Sequence, residues 1–150
     1  MRVKVVQSNL FESLDSERFD LILDDVSGMA EECSKISPWF AGGIPSGGYD
    51  GTDVTVAMLH GAQEHLNEDG RLYFPVLSLS DADKILQQAR NTYGRSLEMI
   101  AEKWIPFCKE FKDSLSFLEE LKNKGIIDYI TKRSRQLWHL QIYRANAALA

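Results

Sequence analysis

Two adjacent carboxylates, Asp24 and Asp25, close an almost wholly apolar run that begins at Phe19. Carboxylates at the carboxyl end of a buried strand stand where α/β proteins bind ligands, so Asp25 is a candidate ligand contact, a cap or solvated carboxylate being the plainer role. Neighbouring residues on a strand face opposite sides, so the two aspartates do not form an acid–base dyad. Asp24 and the upstream Asn9 are the candidate cofactor-binding residues; the plainer role for Asn9 is a turn. No metal site is expected. His60 and His65 lie five apart on a helix and point in different directions, and Cys33 and Cys108 form no CxxC pair and have no evident base. No P-loop, nucleophile elbow or HExxH helix occurs.

The elements that must hold these residues follow from pattern. Val3–Val6 is β-branched and opens a first strand. Phe19–Leu23 is a strand of the kind covered on both faces. Ser37–Gly51 carries Pro38, Pro45 and five glycines, which excludes regular structure; a long ordered loop in a compact domain is usually functional or mobile. Its aromatics Trp39, Phe40 and Tyr49 either cover a pocket or anchor the loop. Thr52 or Asp53 caps a helix carrying Val54, Met58, Ala62 and Leu66 at four-residue spacing. Asp69-Gly70 reads as a turn into a strand over 71–79. Ser80 or Asp81 caps a helix to about Tyr93, stopped by Gly94. Ser96–Trp104 reads as a strand and Phe111–Lys122 as a helix. Ile126–Ile130 and Leu137–Arg144 close the chain as two strands, or as one strand and its lead-in, the second segment with period-two alternation. Strands alternating with helices predict an α/β domain with a mainly parallel sheet, an antiparallel C-terminal strand and helices on both faces.

Size and charge narrow the classes. One hundred and fifty residues form one domain over 1–150, able to bury roughly 70% of the unfolded chain's surface. The net charge of -5 gives no general attraction for nucleic acid or anionic lipid. Lys132-Arg133-Ser134-Arg135 reads as a solvated turn. With two unpaired cysteines, no leader and no apolar run of roughly 20 residues, the chain reads as cytoplasmic and not membrane-bound.

The order of motifs resembles the back half of class I S-adenosylmethionine-dependent methyltransferases, the release-factor glutamine methyltransferase and related small-domain enzymes among them. Ser8-Asn9-Leu10-Phe11-Glu12, Phe19-Asp20-Leu21-Ile22-Leu23-Asp24-Asp25, Gly47-Gly48-Tyr49-Asp50-Gly51, Glu68-Asp69-Gly70-Arg71-Leu72 and Trp138–Ala145 are similar to five successive family elements. The resemblance implies a truncated Rossmann-like methyltransferase sheet, S-adenosylmethionine as cofactor, and Asp25 as catalytic residue, at the family's Asn/Asp position that accepts hydrogen bonds from a substrate nitrogen. Two departures stand out. The strands bearing the Gly-rich cofactor turn and the ribose-binding carboxylate are absent, and Val26-Ser27-Gly28 replaces the family's Pro-Pro-Tyr. The resemblance thereby implies a gap beside the Phe19 strand. Either a homo-oligomer or a partner chain would complete the sheet, since open edges invite partners. Three readings follow: a divergent methyltransferase, a non-catalytic protein of that fold used for association, or a piece of a longer enzyme.

Overall fold

The computed structural model describes residues 3–14 and 16–147. Its elements are β1 (Phe19–Leu23), α1 (Glu31–Ile36), α2 (Asp53–His65), β2 (Leu66–Leu77), α3 (Ala82–Tyr93), β3 (Glu98–Pro106), α4 (Lys109–Asp113), α5 (Leu115–Asn123), β4 (Ile130–Lys132) and β5 (Arg135–Asn146). The architecture is α/β with a five-stranded mixed sheet in the order β1-β2-β5-β3, and β4 pairs β5 as a short hairpin. Only β1 and β2 pair in parallel. The other three ladders are antiparallel, which corrects the expectation of a mainly parallel sheet. The cause lies in one strand. β5 runs against β2, β3 and β4, and it sits between β2 and β3, so every ladder it makes is antiparallel.

Alternate side chains of β2 and β5 bury on opposite faces. Leu72, Phe74, Val76, Tyr143 and Ala145 pack under α2 and α3 with Met58, Leu59, Ile85 and Ala89. Trp138 faces the other way, into a second cluster with Cys33 of α1, Phe111 of α4, and Leu118 and Leu121 of α5. The helix expected over 111–122 is split, with Ser114 between α4 and α5. Asp81 caps α3 by accepting from the Lys84 N–H at 3.0 Å, and Gly94 ends it at a φ of 57°. No helix among the described residues is long and apolar enough to cross a membrane.

Three strand expectations fail for physical reasons. The strand expected over Ile126–Ile130 reduces to Ile130 at the start of β4, because Ile126, Ile127 and Tyr129 turn into the second hydrophobic cluster. Residues 3–8 form no strand, and Val3 and Val5 are 77% and 91% exposed. β-Propensity describes fit to a pleated, half-buried surface, and here no neighbouring strand supplies one. Asp69-Gly70 falls inside β2, not before it, yet the register jumps between Phe19↔Leu66 and Leu21↔Arg71, so the turn survives as an irregularity in the β1·β2 ladder. The basic run is the β4–β5 hairpin turn, exposed throughout, with Arg133 at a φ of 59°.

The Gly-rich loop is built into the fold. The Gly47 N–H donates to Met29 O and the Glu31 N–H to Gly48 O, each at 2.9 Å. Asp50 accepts from the backbone N–H and the hydroxyl of Thr52 and pairs with Lys84 at 2.7 Å. A Cβ on Gly51 would stand 2.5 Å from Ser80 Cβ and 2.6 Å from Ala30 N, and its φ is 79°. Close packing and a left-handed turn therefore account for this glycine. Gly51→Ala is expected to cost about 2–4 kcal/mol in urea unfolding. A loss below about 0.5 kcal/mol, the level of an ordinary surface change, would contradict this role for the loop.

Candidate functional site

β1 delivers its two aspartates to a cavity of about 390 Å³, bordered by Leu23, Asp24, Asp25, Tyr73, Pro75 and Ile142 among others. The Asp24 N–H donates to Tyr73 O at 2.9 Å, which carries the β1·β2 pairing one residue beyond the strand. Its Oδ1 then accepts from the Val26 N–H at 2.8 Å, an Asx-type turn that ends β1. Its Oδ2 is buried and has no partner. Burial pushes the Asp24 carboxyl up to about 6; the Val26 hydrogen bond opposes this and the charge of Asp25 adds to it. Asp25 is exposed at the rim. The structure thus brings the two aspartates to one cavity, with Asp24 as the buried member.

Asn9 is elsewhere. Its Nδ2 donates to Glu12 Oε1 at 2.7 Å in an exposed turn, and it does not border the Asp24 cavity. The adjoining Leu10 and Phe11 pack against the α2–α3 cluster, and Phe11 stacks on His65 with centroids 4.7 Å apart. That anchoring explains the segment without a ligand. His65 is buried, its Nδ1 2.8 Å from Gly61 O, whereas His60 is exposed. No group of three or more metal-ligating side chains occurs among the described residues. Cys33 is buried and its thiol is pushed up to about 12, which suits packing and not nucleophilic work. Trp39 meets Trp138 edge to face at 5.8 Å, so at least one loop aromatic serves as an anchor.

Two further cavities were not foreseen from the sequence. One, about 650 Å³, lies among Glu68, Arg71, Tyr93, Arg95 and Asn146, at the end of the sheet where β2 begins and β5 finishes. That is the end at which β2 and β3 begin, opposite the carboxyl ends of the parallel-running strands where open α/β sheets bind ligands. A second, about 450 Å³, lies at the carboxyl ends of β2 and β3 and holds His139 and Trp104. The His139 ring stacks on Trp104 at 4.2 Å, its Nε2 is 3.0 Å from Glu102 Oε2, and its backbone N–H donates to Ser78 Oγ at 2.8 Å. Only the register of β3 on β5 brings these residues together, and periodicity within a single strand does not reveal it.

The remaining feature is the outer edge of β1. β1 is one of the two terminal strands, β3 being the other, and among the described residues only β2 pairs with it. Leu21 and Leu23 share a face with Arg71 and Tyr73 and are 52% and 71% exposed. The same face continues through the half-buried Tyr73 and Pro75 to Ile142 and to Leu140, which packs against the second cluster. A scan against models of known protein families finds no match. Comparisons with curated proteins and with solved structures find none either.

The Asp24 carboxyl links proton binding to stability. Its folded value of about 6 lies above its ordinary 3.8, so the folded state holds this proton more tightly. Its favourable contribution is present at acid pH and is lost as pH rises from about 4 through about 6. Asp24→Asn is expected to raise stability at pH 8 by about 1–3 kcal/mol, with the gap to wild type closing below pH about 4. Denaturant unfolding across this range checks it; a wild type more stable than the variant at pH 8 would contradict it.

Proposed function

We propose that this chain is a methyltransferase-like α/β domain that works as an association module, taking up a partner's strand on the outer edge of β1. The observation that carries this is an apolar edge strand with its outer side unpaired; the opposite edge strand, β3, is also open, but it carries Glu98, Glu102 and Lys103, charges of the kind that guard an edge. Leu21 and Leu23 lie open to solvent on a strand that is short and carries Asp20, so it is the exposed apolar face, not the length of the edge, that marks a docking surface. Strand addition supplies main-chain hydrogen bonds for affinity and side-chain contacts for specificity.

The methyltransferase-like ancestry is supported by strand direction. β1, β2, β3 and β4 run one way and the C-terminal β5 runs the other, which matches the antiparallel closing strand that the resemblance implies. The aspartates of the Phe19 motif lie at a strand's carboxyl end, as in that family's sheet. In that fold the strands that carry the cofactor lie against the strand that β1 resembles. On this reading one unaided copy does not hold S-adenosylmethionine. A methyl-transfer enzyme works mainly by positioning two reactants, and positioning needs a preformed cleft.

A second reading, a divergent methyltransferase that binds S-adenosylmethionine itself, is favoured by one observation. Asp24 Oδ2 is a buried acceptor without a partner beside a cavity. Calorimetry separates the two. Titrating the chain with S-adenosylmethionine and with its demethylated product is expected to give no binding heat up to millimolar ligand. Saturable heat that Asp24→Asn or Asp25→Asn abolishes would overturn the association reading in favour of the enzyme.

A further inference from the structure

We infer that the partner on β1 is a second copy of this chain, paired antiparallel about a two-fold axis through Leu21. The inference rests on the reading of β1 as a docking edge and adds the occupant and its register. Closed dimers are the commonest assemblies of identical chains, and a two-fold interface must be complementary to itself. Residues opposed in an antiparallel pair share a face of the sheet. The permitted registers therefore centre on single residues, namely Asp20, Leu21 or Ile22.

Charge selects among the three. Centred on Asp20, the axis sets Asp20 against Asp20 of the second copy. Centred on Ile22, it sets Asp20 against Asp24, and Phe19 against Asp25, at both ends. Centred on Leu21, it sets Leu21 against Leu21, Phe19 against Leu23, and Arg18 of each copy against Asp24 of the other. Like charges directly opposed are destabilising and opposite charges favourable, so the Leu21 register is preferred over its neighbours. Its one like pair is Glu17 against Asp25 at the fringe, where Glu17 already meets Lys4 at 2.7 Å. Arg18 spends one donor on Leu66 O at 3.0 Å and keeps others to offer across the axis. This register also joins two exposed apolar strips. The Leu21, Leu23 and Tyr73 face of one copy continues into that of the other, so a single sheet would span the dimer.

Single cysteines at positions 20, 21 and 22 test the register. They are placed in a Cys108→Ser background, since Cys33 is buried. Directly opposed strand residues have Cα separations compatible with a disulfide. Mild oxidation is expected to give a disulfide-linked dimer most readily with Leu21→Cys. Sedimentation equilibrium of the full chain is expected to show a reversible dimer, weakened about tenfold or more by Arg18→Glu, the loss of at least one favourable charge pair on each side of the axis. Preferential linkage of Asp20→Cys or Ile22→Cys would overturn the register. A wild type that sediments as a single chain up to millimolar concentration would overturn the second copy as occupant. A single chain that also binds no S-adenosylmethionine leaves the docking edge standing for another partner, whereas one that binds it removes both.

Discussion

The reversed strand β5 is the constraint from which the rest of the structure follows. It ladders with β2 on one side and β3 on the other and carries the β4 hairpin at its start. Its alternate side chains enter both hydrophobic clusters, Tyr143 and Ala145 under α2 and α3, and Trp138 toward α1, α4 and α5. With β5 in the middle, the interior of the sheet is saturated. Openness is pushed outward to the two terminal strands, β3 with its charged side chains and β1 with an apolar face only partly covered. The functional question of this molecule is therefore a question about an edge.

That edge is unusual in its chemistry. An apolar five-residue run such as Phe19–Leu23 belongs between two covering layers. In this fold its inner face gets a layer, Ile22 packing toward the α2–α3 cluster, while Leu21 and Leu23 do not. Exposed apolar surface rimmed by charge marks an interaction site more often than an accident of packing. Arg18, Asp20, Asp24 and Asp25 supply that rim. The same burial that raises the Asp24 carboxyl places an ionisable acceptor where β1 ends. Proton uptake and edge occupancy thus meet at adjacent residues.

Much of the architecture was legible from sequence where local signals and packing agree. The apolar run to Leu23, the capped helix from Asp53, the Asp81–Gly94 bracket around α3 and the period-two strand through Leu137–Arg144 all carry their own boundaries. Val3–Val6 was misleading because strand propensity cannot create a partner strand. Sheet direction was half legible: an antiparallel C-terminal strand follows from the resemblance, but its place between β2 and β3, which makes most ladders antiparallel, is a tertiary fact. Of the candidate site, Asp24 and Asp25 share a cavity as their position on a strand end implies. Asn9 does not join them, because Phe11 ties that segment to α2. The His139–Trp104 stack was invisible, since it depends on the register between strands far apart in the chain. The Gly-rich loop was ambiguous between cradle and connector, and backbone crowding at Gly47 and Gly51 explains its composition as a connector.

Hydrogen exchange at the backbone amides of Phe19–Leu23, followed against protein concentration, tests the central claim most directly. If the outer edge of β1 is a docking edge filled by another copy, its outward amides gain protection as concentration rises, in step with the increase in mass. Outward amides that exchange at the rate of an open chain at every concentration, in a protein of constant single-chain mass, would contradict it.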